Sequence, residues 1–430
     1  MTRTFCSFPI DDFYKTKQQM LHWVNQFNVC CFLDNNQYDF PLHARECLAG
    51  AGLQSSTQDS LDLKLSGLRN FLSLRDDWVF GHLSYDLKNE IDNLQSSLAD
   101  KLGFPDLFFF IPKHVLLLDE KHLQVGSFVD DHEEIFSSII NLSLTESVIS
   151  RQDFVVKQKM DKESYLRSIS TIKDHIRRGD CYELNFCQEF YADDITIDPV
   201  AVFSRLSHVS PNPFSAFYKT DNRYLLCASP ERYLKKTGQQ LISQPIKGTS
   251  VRLVNNKELD QTQRDKLFES QKERSENVMV VDLVRNDLAR ICIEGTVKVD
   301  ELFGIYSFPQ VHQMISTISG ELRPGNDFVD IIRATFPMGS MTGAPKRKVM
   351  QLIEKYEQSR RGLFSGAVGY ITPGGDFDFN VVIRSVLYNA ANRYLSFSTG
   401  SAITHYSDPE QEYEECLLKG EAIRQVLMKG

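Results

Sequence analysis

The 430 residues contain no Cys-x-x-Cys pair, no unbroken apolar run long enough to cross a bilayer and no surplus of positive charge. Each absence removes a class of protein. Nine cysteines, odd in number and scattered, suit a reducing compartment better than a disulfide framework. Cys30 and Cys31 sit together in an apolar run and read as core. The longest greasy stretch, DLFFFIPKHVLLLDE, is broken by Pro112, Lys113 and His114. The opening MTRTFCSFPIDDFYK lacks the apolar centre of a secretory leader, so the cytoplasm is the expected address. A formal charge of −9 argues against nucleic acid or an anionic membrane as partner. The charge-dense stretch from Lys257 to Glu276 mixes both signs, as a solvated helix face does. No internal repeat or low-complexity tract stands out. GSMTGAPK at 339–346 misses the P-loop spacing, although its Gly-rich turn offers backbone N–H groups to an anion.

What is present is a large apolar fraction, 42%, in a chain long enough for two domains or one extensive mixed core. Up to about residue 150, short aromatic and aliphatic runs (VCCFLDN, WVFGHLSYDL, LFFFIPKHVLLL, HLQVGSF) separated by polar turns read as strands with a few helices. The polar stretch 141–160 is the expected linker between a region 1–150 and a second region 155–430. From Lys162 the pattern SYLRSISTIKDHIRRGD predicts a helix ending at Gly179 with basic residues in its last turn. Beyond it, hairpin signals (TDNRY, KKTGQQ, TPGGD) alternate with amphipathic stretches (DKLFESQKERSENVMVVDLVRN, KRKVMQLIEKYEQS, QEYEECLLKGEAIRQVL). The expected class is α+β, with large, mostly antiparallel sheets and peripheral helices.

Three groups of residues carry chemistry. In RYLLCASPERYLKKTGQQLISQPIKGT, counting outward from a turn at Gly238 sets Glu231 opposite Pro245 and makes Glu231 and Lys247 diagonal neighbours. Such a pair is either a structural ion pair at a strand end, or an amine whose pKa burial lowers toward neutrality, with the glutamate as proton donor. Glu276 opens an otherwise apolar helix in SENVMVVDLVRND. Glu412 and Glu415, three apart, share a helix face with Lys419 a turn beyond. Carboxylates without nearby His or Cys suit Mg²⁺, or form surface salt bridges. Tyr370 in GAVGYI and Arg384 in FNVVIRS fall on the two arms of a hairpin around TPGGD, as an anion clamp or as core tyrosine and rim arginine.

A series of segments runs in order through 155–430: GDCYELN, PFSAFY, SPERYL, PIKGT, SENVMVVDLVRND, FPMGSMTGAPKRKVMQLIEKYE, RGLFSGAVGYI, FNVVIRS, TGSAIT and SDPEQEYEE. Together they resemble the chorismate-utilising enzymes, a family that includes anthranilate, aminodeoxychorismate, isochorismate and salicylate synthases. The resemblance implies two interleaved α/β subdomains, with large antiparallel sheets packed face to face and helices outside. It also implies a nucleophilic role for Lys247, because members that aminate chorismate at C4 read PIKGT where anthranilate synthases read PIAGT. Glu231 then corresponds to the general acid on the C4 hydroxyl and the base of the second half-reaction, in which ammonia yields 4-amino-4-deoxychorismate on the way to 4-aminobenzoate and folate. Glu276 and Glu415, with Glu412 beside them, correspond to Mg²⁺ ligands. Tyr370, Arg384, Gly400 and Ser401 correspond to the enolpyruvyl carboxylate site, His312 and Lys419 to site-lining positions, and Thr249 to a support of the lysine loop. Anthranilate synthase component I is the alternative.

Departures from the family pattern are small. Glu183 stands where water-adding members carry a lysine base, which argues against isochorismate or salicylate synthase; Ala289, Ser385 and Cys416 replace a glycine and two threonines. FLDN at 32–35 and GHLSYDL at 81–87 resemble N-terminal segments where some members bind tryptophan. No nucleophile-elbow cysteine with a downstream His-Pro-Glu is present. Glutamine would therefore require a separate amidotransferase subunit, while free ammonia can serve alone.

Overall fold

The apolar runs of the first 150 residues do not alternate with polar ones because both faces of these strands are covered. In the computed structural model, which describes residues 2–38, 46–59, 64–74, 76–144, 154–308 and 311–428, strand Val29–Asp34 is buried at five of its six positions. Cys31 points into one core while Cys30 and Phe32 point into another.

Every strand pairing is antiparallel, and the strands form two layers. The first runs, in order of neighbours, Thr4–Pro9, His122–Ser127, Leu107–Leu118, Cys47–Ser56, Val29–Asp34, Phe214–Thr220, Arg223–Ser229, Ser385–Asn389, Tyr394–Ile403, Glu183–Ala192. The second runs Val79–Leu83, Ala367–Ile371, Phe377–Asn380, Arg232–Thr237, Gln240–Gln244, Val311–Glu321, and the last of these also pairs with Ile246–Val251 and Lys298–Ser307. Leu107–Leu118 belongs to both, since its first residues also pair with Val79–Leu83. Pro112, which cannot donate to a ladder, sits where the pairing with Cys47–Ser56 slips by a residue. Strand 107–118 is thereby continuous through the Pro-Lys-His interruption.

Cys31, Tyr218 and Leu225 of the first layer share a core with Leu234, Leu241 and Phe379 of the second. Cys30, Phe217, Leu226 and Phe397, on the other side of the first layer, pack under helices through Met20, Ile169, Phe203, Leu352 and Ile423. This is the expected α+β sandwich with helices outside. Helix Lys162–Arg177 ends as the sequence predicts, and the three hairpin signals form turns. The stretch 265–286 is not one helix. Ser270 adopts an extended backbone (ψ 111°), and its hydroxyl accepts from the Glu273 amide. It therefore ends helix Lys257–Glu269 and caps a second, Gln271–Ala289. Of the expected linker 141–160, residues 145–153 lie outside the described residues.

Candidate active site

Lys247 lies near the start of strand Ile246–Val251, where pairing with Val311–Glu321 shifts register between Ile246 and Thr249. Gly248 takes a positive φ of 95°, and a side chain there would meet Glu273 Oε2 and Leu267. The bulge aims Lys247 at the edge of the first layer. Its Nζ donates to Glu183 Oε1 at 3.0 Å, with the two side chains 11% and 2% exposed.

Glu183, rather than Glu231, is thus the hydrogen-bonded partner. Counting from Gly238 gives Arg232 opposite Gln244, as observed, but only because a bulge corrects a one-residue offset nearer the turn, where Thr237 faces Gln240. Glu231 is 4% exposed and stands close enough to Lys247 to act on it electrostatically. The expected lowering of the Lys247 pKa is reversed. Burial alone would lower it, but Glu183, Glu276 and Glu231 together raise it. Burial pushes the Glu231 carboxyl up to about 7, against the Ser340 hydroxyl, Lys247, the Ile246 amide and Arg384. At neutral pH the site therefore holds an ammonium on Glu183 beside a half-protonated Glu231.

Glu276 comes from the second turn of Gln271–Ala289, and Glu412 and Glu415 come from helix Pro409–Met428. Among the described residues no group of three His, Cys, Asp or Glu side chains already stands in metal-ligating geometry. The three carboxylates instead surround the Lys272 ammonium, at 3.9 Å from Glu276, 3.6 Å from Glu412 and 4.0 Å from Glu415. Burial pushes Glu276 up to about 7, with Lys247 opposing. Burial would also raise Glu415, but Lys419, 2.7 Å away, together with Lys272 and Lys247, outweighs it and holds that carboxyl low. Glu276 Oε1 and Glu412 Oε2 are buried without a hydrogen-bond partner among the described residues. An all-oxygen donor set with two orphaned atoms and a cation already at its centre fits a hard divalent ion such as Mg²⁺.

The remaining predicted residues divide. Arg384 is half-buried beside Glu231 and Tyr38; burial pulls its pKa below the usual guanidinium range although both oppose this. It lies past the end of strand Phe377–Asn380, not on the hairpin arm, and has a φ of 50°. Tyr370 does lie on that hairpin, opposite Asp378. Its ring sits 5.9 Å from Trp78 and 6.4 Å from Phe80. It lines a small cavity of about 50 Å³ with Asp34, Asn35, Phe214 and Ser215, a cavity whose lining does not include Lys247, Glu231 or Arg384. Tyr370 thus lies on this cavity, and Arg384 beside Glu231. Gly400 and Ser401 lie on strand Tyr394–Ile403, opposite Cys187 and Phe186, and Lys419 Nζ donates to the Gly400 carbonyl at 2.9 Å. Thr249 is exposed and faces Gln313 across the ladder. His312 is fully engaged, one ring nitrogen on Ser307 Oγ at 2.8 Å and the other on Asp260 at 3.1 Å.

Lys272 and Glu273 were not singled out in the sequence, although Lys272 stands one turn before Glu276 on the same face. The Gly-rich 339–346 segment pairs its backbone with strand Glu183–Ala192 through Gly343 and Ala344. Gly343 has a φ of 145°, and a Cβ there would lie 2.1 Å from the Glu183 carbonyl oxygen. Gly343→Ala should therefore lower stability by about 3 kcal/mol in denaturant titration; an unchanged midpoint would contradict this close approach.

A model of the chorismate binding enzymes matches residues 28–425. The chain is 32% identical to aminodeoxychorismate synthase component 1 of Bacillus subtilis over 81% of its own length and 76% of that protein. It is 33% identical to the Escherichia coli protein of the same name over 82% and 77%. Among solved structures, anthranilate synthase component I of Streptococcus pneumoniae superposes with a TM-score of 0.69 at 26% identity, covering 80% of each chain. The menaquinone-specific isochorismate synthase of E. coli superposes at 0.76 and 17% identity over 99% and 95%, a likeness of fold. With a family match over nearly the whole chain and relatives above 30% identity, the protein belongs to the chorismate-binding enzymes.

Proposed function

We propose that the chain aminates chorismate at C4, with ammonia, to 4-amino-4-deoxychorismate through a covalent adduct on Lys247. The observation that carries the reading is a buried amine hydrogen-bonded to one carboxylate, Glu183, beside a second, Glu231, that is still partly protonated at neutral pH. Lys247 Nζ attacks C2 of chorismate and passes a proton to Glu183. The ring double bonds shift, the C4–O bond breaks, and Glu231 protonates the departing hydroxyl to water. Ammonia then adds at C4, its surplus proton returns to Glu231, and the C2–N bond breaks as Glu183 reprotonates the lysine. Two displacements in succession put the new amine on C4 rather than C2. Arg384 faces the substrate's enolpyruvyl carboxylate, with backbone at Gly400 and Ser401 beside it. Held by Glu276, Glu412 and Glu415, Mg²⁺ would supply Lewis-acid charge at the ring carboxylate.

The name component 1 carried by the relatives supports a separate partner subunit; we take it to be a glutamine amidotransferase that supplies ammonia. Among the described residues no helix is long and apolar enough to cross a membrane, in line with a cytoplasmic enzyme. The deciding experiment incubates the chain with chorismate, Mg²⁺ and ammonium, adds an aminodeoxychorismate lyase, and identifies the product. 4-Aminobenzoate is expected, whereas anthranilate would make the chain an anthranilate synthase component I.

The charge of Glu183 has a separate consequence. Glu183→Gln removes the foremost of the carboxylates that hold Lys247 as ammonium, so its pKa falls. At a fixed mildly alkaline pH, Lys247 in this variant should react faster with an amine-modifying reagent, read by peptide mass spectrometry. Equal or slower labelling would show that Glu183 does not hold the charge.

A further inference from the structure

Besides Lys247, which acts on Glu276 and Glu415 from its place on Glu183, two amines approach the carboxylate trio, and they are held differently. Lys419 is locked, 2.7 Å from Glu415 and 2.9 Å from the Gly400 carbonyl. Lys272 is not: its ammonium stands 3.6–4.0 Å from all three carboxylates, beyond ordinary hydrogen-bonding distance from each, and its side chain is 47% exposed. It sits at the point from which Glu276, Glu412 and Glu415 are all reached. The buried atoms Glu276 Oε1 and Glu412 Oε2 remain without a hydrogen bond even so. A charge in that position screens the three carboxylates from one another without satisfying their oxygens. Its exit to solvent is easy, because half of the side chain is already there and lysine is flexible and readily hydrated.

We propose that Lys272 is a tethered counter-cation, an ammonium that occupies the centre of the carboxylate trio until a divalent ion displaces it, and that it thereby sets the threshold of metal binding. The inference rests on the trio being the metal site. The exchange is one of charges: a divalent ion entering the trio brings two positive charges and the direct oxygen contacts that the ammonium lacks, while Lys272 swings outward into water. Metal binding to the free protein is weakened by the work of expelling a resident cation, and it tightens when that cation is removed.

The test measures Mn²⁺ binding to the full chain by the loss of the free-ion paramagnetic resonance signal, with Mg²⁺ competition, for wild type, Lys272→Met, Lys272→Gln, Lys272→Arg and Glu276→Gln. The methionine and glutamine variants should bind about tenfold more tightly than wild type. The arginine variant should stay near wild type, and Glu276→Gln should lose most of its affinity. Thermal melts without metal should show the two neutral variants less stable than wild type, with a larger rise on adding Mg²⁺, as unscreened carboxylates require. Equal or weaker Mn²⁺ binding in both neutral variants, with wild type still binding, would overturn the counter-cation and leave the metal site standing. Absence of binding in every protein up to millimolar Mn²⁺ would remove the metal site and the proposal together. Two neutral replacements of different polarity guard against one of them failing to fold.

Discussion

Lys247→Ala should lose at least about a thousandfold in 4-aminobenzoate formation in the coupled assay, about 4 kcal/mol of transition-state stabilisation. Wild-type protein given chorismate and Mg²⁺ but no ammonia should gain the mass of chorismate less one water, on the peptide that contains Lys247. The alanine protein should gain nothing. Melting should be lowered, because the substitution leaves the Glu183 carboxylate, 2% exposed, without its ammonium partner, so the two proteins are compared at a temperature where both are folded. Amination at near wild-type rate in Lys247→Ala would mean that ammonia attacks the ring directly and that the lysine is a structural ion-pair partner of Glu183.

The second large effect concerns Glu231. Glu231→Gln should slow formation of the lysine adduct by about 10²–10⁴-fold, the span of a general acid. The pH profile is more discriminating. Were Lys247 required as a free amine at the outset, with a pKa above that of Glu231, the population holding both the amine and the acid would be constant from about pH 7 upward, and the profile would be flat. Because Glu183 already accepts the hydrogen bond, the resting ion pair is the reactive form and only the proton on Glu231 is rationed. Glu231 titrates at about 7. Adduct formation should therefore be level below that value and fall about tenfold per pH unit above it, until the lysine itself ionises. Single-turnover measurements without ammonia, whose own ionisation would otherwise dominate, decide between the two. A flat profile between pH 7 and 9 would remove Glu183 as proton acceptor.

Sequence and structure agree where the signal is local. The helix at 162–177 and the turns at 221, 238 and 374 are set by caps and turn residues that depend on a few neighbours. The resemblance points to Lys247, Glu231, Glu276, Glu412 and Glu415, and in the structure Glu231, Glu276 and Glu415 lie within electrostatic reach of Lys247, with Glu412 joined to them through Lys272. What the sequence could not show was who touches whom. Glu183 is 64 positions from Lys247, and the resemblance marks its position in ELNFCQEFY as one that differs between members but not as the partner of Lys247. The orientation of Tyr370 is illegible for a related reason: strand Ala367–Ile371 is buried at all five positions, so no alternation tells which face its side chain takes. The Lys247 pKa went the wrong way because burial can be read from an apolar flank, whereas two of the carboxylates that oppose it, Glu183 and Glu276, come from segments that no local pattern brings to the lysine.

Strand 107–118 is the seam of the molecule, paired with the first layer along one part of its length and with the second along another. Strand 79–83 beside it waits for 367–371, and strand 29–34 waits for 214–220. On a ribosome the first 150 residues therefore emerge with open edges whose partners are not yet synthesised, and the second layer cannot close before residue 371 has left the exit tunnel. Such long-range pairing folds slowly and exposes strand edges while it does so. Truncations from the C-terminal side should accordingly yield aggregates rather than a smaller folded unit.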